Sequence, residues 1–281
     1  MKRFLSSAAL AALYLLTGAI ALVLRLCRFQ NRLITTHLDR CLPDLAPQVR
    51  RSVIAGFYRY LGELAAEILY EPCLDRETLA ARVRFENPEL VAGLLERKRR
   101  VLILSAHHAN WEWLLLRCST GFEQPLTAAY KRVSTEWADR LALRLRQRFG
   151  CEMIRAKQIV PHLLERRGQV RLLAMLADQS PSAANEQQVW MDFFGQATSF
   201  HAGPGWIAAK FGFTPVFAAV TRERRGRYCV RFTELPTSGP RVEPEQVLRA
   251  YIDALESHVR ADPERYFWAY NRWKREKPLY G

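Results

Sequence analysis

The chain has 281 residues, of which 49% are hydrophobic, and it carries a formal net charge of +14. This length and apolar content suit one sizeable domain with its own core, with or without an anchor, and argue against intrinsic disorder. The positive charge favours nucleic acid, anionic lipid or an acidic protein as partner, and a solvated basic face without a partner is the alternative. No zinc-finger spacing, RNA-recognition motif or long Lys/Arg block supports nucleic acid.

The six cysteines are scattered, without a Cys-x-x-Cys pair or a dense framework. This spacing predicts reduced thiols, and therefore a main domain in the cytosol. Cys118 lies in the stretch 113–119, which is predicted to be helical, and a packing role is expected for it rather than that of a nucleophile.

The N-terminal segment is predicted to anchor the chain in a membrane. A mostly apolar run from Phe4 to Leu24 is close to the roughly 20 residues that span a bilayer core. A signal peptide is the alternative, but the run is longer than a typical signal core and no clear cleavage site follows. Arginines after the run favour a cytoplasmic C-terminal side, while Lys2 and Arg3 oppose it. We expect an anchor over 1–30 and a domain over 31–281.

The stretch 31–69 shows apolar residues at helical spacing, which predicts an amphipathic helical lead-in to the domain. Its apolar stripe suits core packing, with partial membrane contact as an alternative. Phe85 to Glu89 is typical of a strand end and a turn, and a short helix is expected from Leu90 to Leu95.

The central segment is predicted to be a buried strand that ends in a polar cluster. Val101 to Leu104 is the apolar strand, and His107 comes just after it. Because residues in one helix are about 100° apart, His107 and Glu112 would not share a helix face, so a helix should begin between them. Asn110 suits its N-cap, which places Glu112 in the first turn, where a carboxylate is favoured.

A carboxylate that folds back onto an imidazole has a chemical use. It fixes the tautomer and supports the charge formed when the other ring nitrogen takes a proton from a hydroxyl. His107 is therefore a candidate general base and Glu112 its partner. An ordinary histidine at a strand end is the structural alternative. A metal site is less favoured, because neither His-Glu-x-x-His nor a nearby cysteine pair is present, and we expect no metal or cofactor.

Strand and helix alternate through the rest of the chain, which predicts an α/β fold. Asp178-Gln179 stands at the carboxyl end of a buried strand, where sites of α/β proteins gather, and a polar loop follows over 180–188. Strands are expected at 126–130, 170–176, 214–220 and 228–235, and helices at 135–149 with Gly150 as C-cap, 159–164, 203–211 and 243–260.

Several segments, in one order along the chain, resemble a known family. The run from His107 to Glu112 reads His-His-Ala-Asn-Trp-Glu. It is similar to the His-x4-acid signature of the late acyltransferases of bacterial lipid A biosynthesis, within the lysophospholipid acyltransferase group. Further matches are 37–43, Tyr130-Lys131 with Asp139 and Arg146, Asp178-Gln179, Phe193-Phe194-Gly195 with Thr198, Arg222, and 263–274. His37 and Tyr270-Asn271 depart from the family pattern.

This resemblance implies a mixed, mainly parallel sheet flanked by helices, as in glycerol-3-phosphate acyltransferase, behind an N-terminal transmembrane helix. It also implies transfer of an acyl chain from acyl carrier protein to a hydroxyl of a lipid A precursor, on the cytoplasmic face of the bacterial inner membrane. His107 would be the base and Glu112 would orient it. Arg146 would stabilise an oxyanion or bind a phosphate. No Gly-x-Ser-x-Gly elbow is present, which agrees with direct transfer without a covalent intermediate.

The resemblance and the placement of polar residues also predict the substrate contacts. The Phe193-Phe194 pair is expected either to line an acyl-chain pocket or to pack in the core. The residues predicted to bind substrate are Asn110, Tyr130, Lys131, Asp178, Phe193, Phe194 and Arg222.

Other functions remain open at this point. The same chemistry on a lysophospholipid, an aminolipid or a glycolipid would need the same residues. A thioesterase would need only water as acceptor. A non-enzymatic basic membrane scaffold would explain the anchor and the charge, but not the His107 segment.

Overall fold

The computed structural model describes residues 2–132, 135–181, 187–237 and 242–274. The chain begins with α1 (Lys2–Leu26), α2 (Asn31–Cys41), α3 (Pro47–Tyr70), α4 (Arg76–Arg82), β1 (Val83–Phe85) and α5 (Pro88–Glu96). It continues with β2 (Arg100–Ser105), α6 (Trp111–Gly121), β3 (Leu126–Tyr130), α7 (Glu136–Gln147), β4 (Glu152–Arg155), α8 (Ile159–Glu165) and β5 (Leu172–Leu176). It ends with β6 (Gln188–Phe193), β7 (Gln196–His201), α9 (Gly203–Phe211), β8 (Phe213–Arg224), β9 (Arg227–Glu234) and α10 (Pro244–Ala261).

The main sheet has seven strands in the order β1-β9-β8-β2-β5-β3-β4. Neighbouring strands run parallel except β8 and β9, which are antiparallel. Strands β6 and β7 form a separate antiparallel hairpin. The predicted fold class, a mixed and mainly parallel sheet flanked by helices, is therefore confirmed.

The sheet separates two apolar layers. Strand β2 is buried on both faces, and because successive side chains of a strand point to opposite faces, its residues alternate between the layers. Val101 and Ile103 pack in the layer with α4, α5 and α6. Leu102 and Leu104 pack in the layer with α2, α3 and α10. A continuous apolar run in this central strand is the consequence of that double burial.

Most predicted elements are confirmed within a few residues, including β2, β3 and α9. Strand β4 was not predicted, since Glu-Met-Ile-Arg at a sheet edge is only partly buried and lacks an apolar pattern. The β6–β7 hairpin was not predicted either. Its two-residue turn places Phe194 and Gly195 at φ 54° and 71°, as a type I′ turn requires, and a phenylalanine is unusual in that position.

Helix α1 packs along α3. Leu10, Thr17 and Ala21 are buried in this contact. Gly62 of α3 permits the close approach, because a Cβ there would lie 2.8 Å from the Thr17 carbonyl oxygen and 2.9 Å from the Ala21 Cβ. The N-terminal helix is thus in direct contact with the domain that follows.

The opposite face of α1 is apolar and exposed. The segment Ala8–Leu26 is long and apolar enough to cross a membrane by length and composition. Only 17% of this window is buried, which separates it from the core helix of a soluble protein. The exposed apolar side chains of the helix are Leu15, Leu16, Ile20, Leu22, Val23 and Leu26.

Two glycines provide a matched test of the α1–α3 contact. Gly62→Ala should lower the thermal unfolding temperature of the detergent-solubilised protein, since overpacking costs about 1–3 kcal/mol. Gly18→Ala on α1 is the control, because no atom lies within 4 Å of its added Cβ. It should be neutral or stabilise the helix by about 0.5–1 kcal/mol. Equal melting temperatures for the two variants would contradict this packing.

Candidate active site

His107 lies just beyond the carboxyl end of β2, in a tight turn that leads into α6. Ala109 in this turn has φ 50°, and Asn110 caps the helix by accepting a hydrogen bond from the Trp113 N–H at 2.8 Å. The predicted strand, the helix start between His107 and Glu112, and the Asn110 cap are all confirmed.

The partner of His107 is Asp178. The imidazole Nδ1 lies 2.7 Å from Asp178 Oδ1, and the backbone N–H of His107 donates to Oδ2 at 3.1 Å. The strand register explains this meeting. Ser105 of β2 pairs with Leu176 of β5 in parallel, so residues two positions beyond each partner emerge side by side.

The electrostatics of this pair favour a charged carboxylate. Burial alone would raise the pKa of Asp178, but the His107 imidazole and backbone N–H outweigh it and lower that pKa. Burial alone would lower the pKa of His107, but the Asp178 charge and hydrogen bond outweigh it and raise that pKa. Because a carboxylate accepts at Nδ1, the Nδ1 atom carries the proton in neutral His107, and Nε2 is the proton acceptor.

We predicted that Glu112 folds back onto His107, but the carboxylate that meets Nδ1 of His107 belongs to Asp178. Glu112 is held by Arg146, whose Nε and Nη2 donate to Oε2 and Oε1 at 2.8 and 2.5 Å. Such a two-pronged contact with a guanidinium is strong and geometrically specific, so it holds the Glu112 side chain toward α7. The charge of Glu112 still contributes to the raised pKa of His107, after the larger effects of burial and Asp178.

Trp111 connects the two carboxylate systems. Its ring meets the His107 ring edge-on at 5.0 Å between centroids. Its indole N–H donates to Glu112 Oε1 at 3.2 Å. The Trp111 ring therefore links the Glu112–Arg146 pair to His107.

Asn110 is fully buried and both ends of its amide are engaged. Its Nδ2 donates to Glu67 Oε2 at 2.6 Å. Glu67 also accepts hydrogen bonds from the hydroxyls of Tyr14 and Tyr228, each at 2.7 Å. Burial raises the pKa of Glu67 despite these donors. The arrangement gives Asn110 a positioning role at the start of α6, and it links α1 to the turn that carries His107.

The two adjacent histidines have different environments. His108 is buried, and its Nε2–H donates to the carbonyl oxygen of Asp262 at 2.9 Å. Burial lowers the pKa of His108 to about 4, so this ring is neutral near pH 7. Its ring lies close to that of His258 at a tilt of 47°, with ring centroids 4.1 Å apart. His108 supports the structure, and only His107 faces the cleft.

The C-terminal segment, residues 263–274, forms most of the cleft in front of His107. Phe267 N–H donates to the His107 carbonyl at 3.0 Å, and Ala109 N–H donates to the Arg265 carbonyl at 2.9 Å. The segment is therefore packed against the turn that carries His107. The cleft is lined by His37, His107, Asp178, Gln179, Tyr266, Phe267, Trp268, Tyr270, Arg272 and Trp273.

The other predicted substrate-binding residues do not line this cleft. Phe193 and Phe194 are buried in the core, and Phe193 lies behind Trp273 with ring centroids 6.3 Å apart. Arg222 is paired with Glu63 of α3 at 3.0 Å. Tyr130 and Lys131 lie at and just after the end of β3. Of the predicted site residues, the structure therefore brings His107 and Asp178 together in the cleft, and the others lie outside its lining.

Two comparisons identify similar proteins. A profile of the family described as "Bacterial lipid A biosynthesis acyltransferase" matches residues 6–275. A lipid A biosynthesis acyltransferase of Haemophilus influenzae is 27% identical over 241 residues, which cover 83% of this chain and 72% of that protein.

The assignment of the His107 partner can be tested by titrating the ring. Asp178→Asn removes the charge that raises the pKa of His107, so that pKa should fall below its wild-type value. Glu112→Gln should lower it by a smaller amount. NMR of histidine-labelled protein gives both values, with the His107 signal assigned from its loss in a His107→Gln variant. An equal or larger shift in the Glu112 variant would contradict Asp178 as the main partner.

Proposed function

Because the chain belongs to the bacterial lipid A biosynthesis acyltransferase family, we propose that it transfers a fatty acyl chain from the thioester of acyl carrier protein to a hydroxyl of a lipid A precursor. The observation that carries this proposal is the His107–Asp178 pair, whose Nε2 faces a cleft. A histidine with a carboxylate on Nδ1 is suited to remove a proton from a hydroxyl.

The reaction proceeds by direct transfer. His107 Nε2 takes the proton of the acceptor hydroxyl while the oxygen attacks the thioester carbon and forms a C–O bond. The tetrahedral intermediate then breaks its C–S bond, and the leaving thiolate of the carrier receives the proton from the imidazolium. Asp178 stabilises the imidazolium between these steps.

Among the described residues, Cys118 and Ser105 are unsuited to act as a covalent nucleophile. The Cys118 thiol is buried, and burial raises its pKa to about 12, which leaves almost no thiolate. The Ser105 hydroxyl donates to the Ala218 carbonyl at 2.8 Å inside the sheet. These contacts support transfer without an acyl-enzyme.

Glu112 and Arg146 serve this reaction as positioning residues. Their ion pair joins the first turn of α6 to α7. It also holds Trp111, which packs against both His107 and Phe267. Glu112, the signature acid of the family, therefore positions the wall of the cleft, and Asp178 is the partner of the base His107.

The net charge of +14 suits both substrates. Acyl carrier protein is acidic and lipid A precursors carry phosphate, so both are attracted to a basic surface. Helix α7 carries exposed arginines, namely Arg140 and Arg144. This basic surface supports an acidic carrier protein as the acyl donor.

The exposed apolar face of α1 supports attachment to a membrane. We place the protein in the bacterial inner membrane as a single-pass protein with its α/β domain on the cytoplasmic side. Because α1 lies against α3, the bilayer would be immediately beside the domain. The acceptor lipid would then reach the cleft without leaving the membrane.

Membrane attachment through α1 is tested by charge substitution on its exposed face. The double variant Leu16→Glu and Ile20→Glu should release the protein into the carbonate-soluble fraction, since a charge at the bilayer centre costs about 2.5–3.5 kcal/mol. Gln147→Glu with Gln158→Glu adds the same charge at exposed polar positions, and it should leave the protein in the membrane pellet. Retention of both variants would contradict this attachment.

The role of His107 is tested by His107→Gln, which keeps a donor for Asp178 but no base. The rate of acyl transfer from carrier thioester to lipid A precursor should fall about 10²–10⁴-fold. His162→Gln is the matched control on α8, where the ring contacts Glu152, and its rate should stay near wild type.

Mass spectrometry of the lipid product decides between the alternatives in the same assay. One added acyl chain on the lipid A precursor is the expected result. Release of free fatty acid without an acceptor would favour a thioesterase. Acylation of another lipid class would show that the acceptor is not a lipid A precursor. Near-wild-type turnover of the His107 variant would contradict the base assignment.

A further inference from the structure

The guanidinium of Arg272 is buried and has no hydrogen-bonding partner among the residues that the structure describes. Only 4% of the residue is exposed. Among the described residues, none accepts a hydrogen bond from its Nε, Nη1 or Nη2 atoms. Its guanidinium lies over the ring of Phe200 at 4.1 Å and near that of Phe193 at 5.8 Å. A buried guanidinium whose hydrogen-bond donors are not accepted by any described residue is costly, which indicates that an anion completes the site.

This cation lines the same cleft as His107 and Asp178. Asp178 acts on it at a distance, but both carboxylate oxygens already accept hydrogen bonds from His107. The backbone of Arg272 is fixed, since its carbonyl accepts from the Ser180 hydroxyl at 2.9 Å. Tyr270 adds a second tie, from its hydroxyl to the Ser180 carbonyl at 3.1 Å. The backbone that carries the guanidinium is thus fixed at the cleft.

Arg146, which the sequence suggested for stabilising an anion, is instead paired with Glu112. Both of the donors that it directs at Glu112 are within hydrogen-bond distance, and the pair lies outside the cleft lining. An arginine already paired in this way offers few free donors to a reacting group. Among the described arginines, the one that lines the cleft is Arg272.

We infer that Arg272 is a catalytic residue that donates hydrogen bonds to the oxyanion of the tetrahedral intermediate. The inference rests on the proposed acyl transfer. When the acceptor oxygen bonds to the thioester carbon, the carbonyl π electrons move to its oxygen, while the proton moves to His107 Nε2. The imidazolium then balances Asp178, and the new negative oxygen needs its own cation. The electrons return when the C–S bond breaks, so the charge on that oxygen exists only between the two steps.

Burial favours an oxyanion over a phosphate of the lipid substrate. The guanidinium sits among the rings of Phe193, Phe200 and the cleft aromatics rather than at an exposed rim. Donors in a low-dielectric, preorganised site act most strongly on charge that develops during the reaction. A headgroup phosphate bound before reaction would instead contribute to substrate affinity.

The test measures kcat and KM of Arg272→Gln and Arg272→Lys in the acyl-transfer assay. Arg272→Gln should lower kcat about 10²–10³-fold, with KM for both substrates nearly unchanged. Arg272→Lys keeps the charge but not the planar set of donors and should fall between Gln and wild type. Added guanidinium ion should restore part of the rate of Arg272→Ala.

Arg260→Gln is the matched control. Its guanidinium also lies over a phenylalanine ring, that of Phe194 at 4.7 Å, but the residue is exposed and outside the cleft lining. Its kcat should stay near wild type. The same NMR titration of His107 shows whether the base and Asp178 are still paired in each variant.

The outcomes separate this inference from the proposed function. Wild-type protein without acyl transfer would contradict the proposed function itself. Active wild type with an unchanged kcat in Arg272→Gln, or with a rise in KM alone, would overturn the oxyanion role and leave His107 in place. If Arg272→Gln does not fold, Arg272→Lys decides: a lowered kcat at unchanged KM supports the role, and wild-type kcat overturns it.

Discussion

The hydrogen bond between His107 Nδ1 and Asp178, at 2.7 Å, is the contact on which the site depends. It exists because β2 and β5 are parallel neighbours in register, with Ser105 opposite Leu176. Two polar residues 71 positions apart in sequence therefore leave the sheet side by side. The charged carboxylate of Asp178 accepts the Nδ1–H of the neutral imidazole, and this leaves Nε2 as the atom that accepts a proton.

Two sets of hydrogen bonds fix the turn that carries His107. In the first set, Asn110 caps α6 and is hydrogen-bonded to Glu67, which in turn accepts from Tyr228 of the sheet and Tyr14 of α1. In the second set, the C-terminal segment forms hydrogen bonds with the backbone of residues 107–109, and its aromatic rings line the cleft. The apolar helix that we place in the membrane is thus connected to the turn that carries the base by two side-chain hydrogen bonds, which meet at Glu67.

The site separates its charges into distinct tasks. Asp178 compensates His107, and Glu112 compensates Arg146 at the cleft wall. Arg272 is left as a buried cation with no hydrogen-bonding partner in the described chain. With neutral His107, the resting charges of Asp178 and Arg272 sum to zero. When His107 takes the proton, the imidazolium offsets Asp178, and Arg272 can then offset the transient negative oxygen, provided that acyl transfer is the reaction.

The sequence by itself determined the local events: the buried strand before His107, the Asn110 cap, the apolar N-terminal helix and the α/β alternation. Each depends on neighbouring residues, through apolar runs, capping and helical spacing. It also placed Asp178 at a strand end, but not beside His107. Only the tertiary structure decided which acid serves the imidazole, because strand order and register are set by packing between distant segments. The same reason hid Arg272, whose place beside Asp178 depends on how the C-terminal segment folds back over the carboxyl ends of β2 and β5.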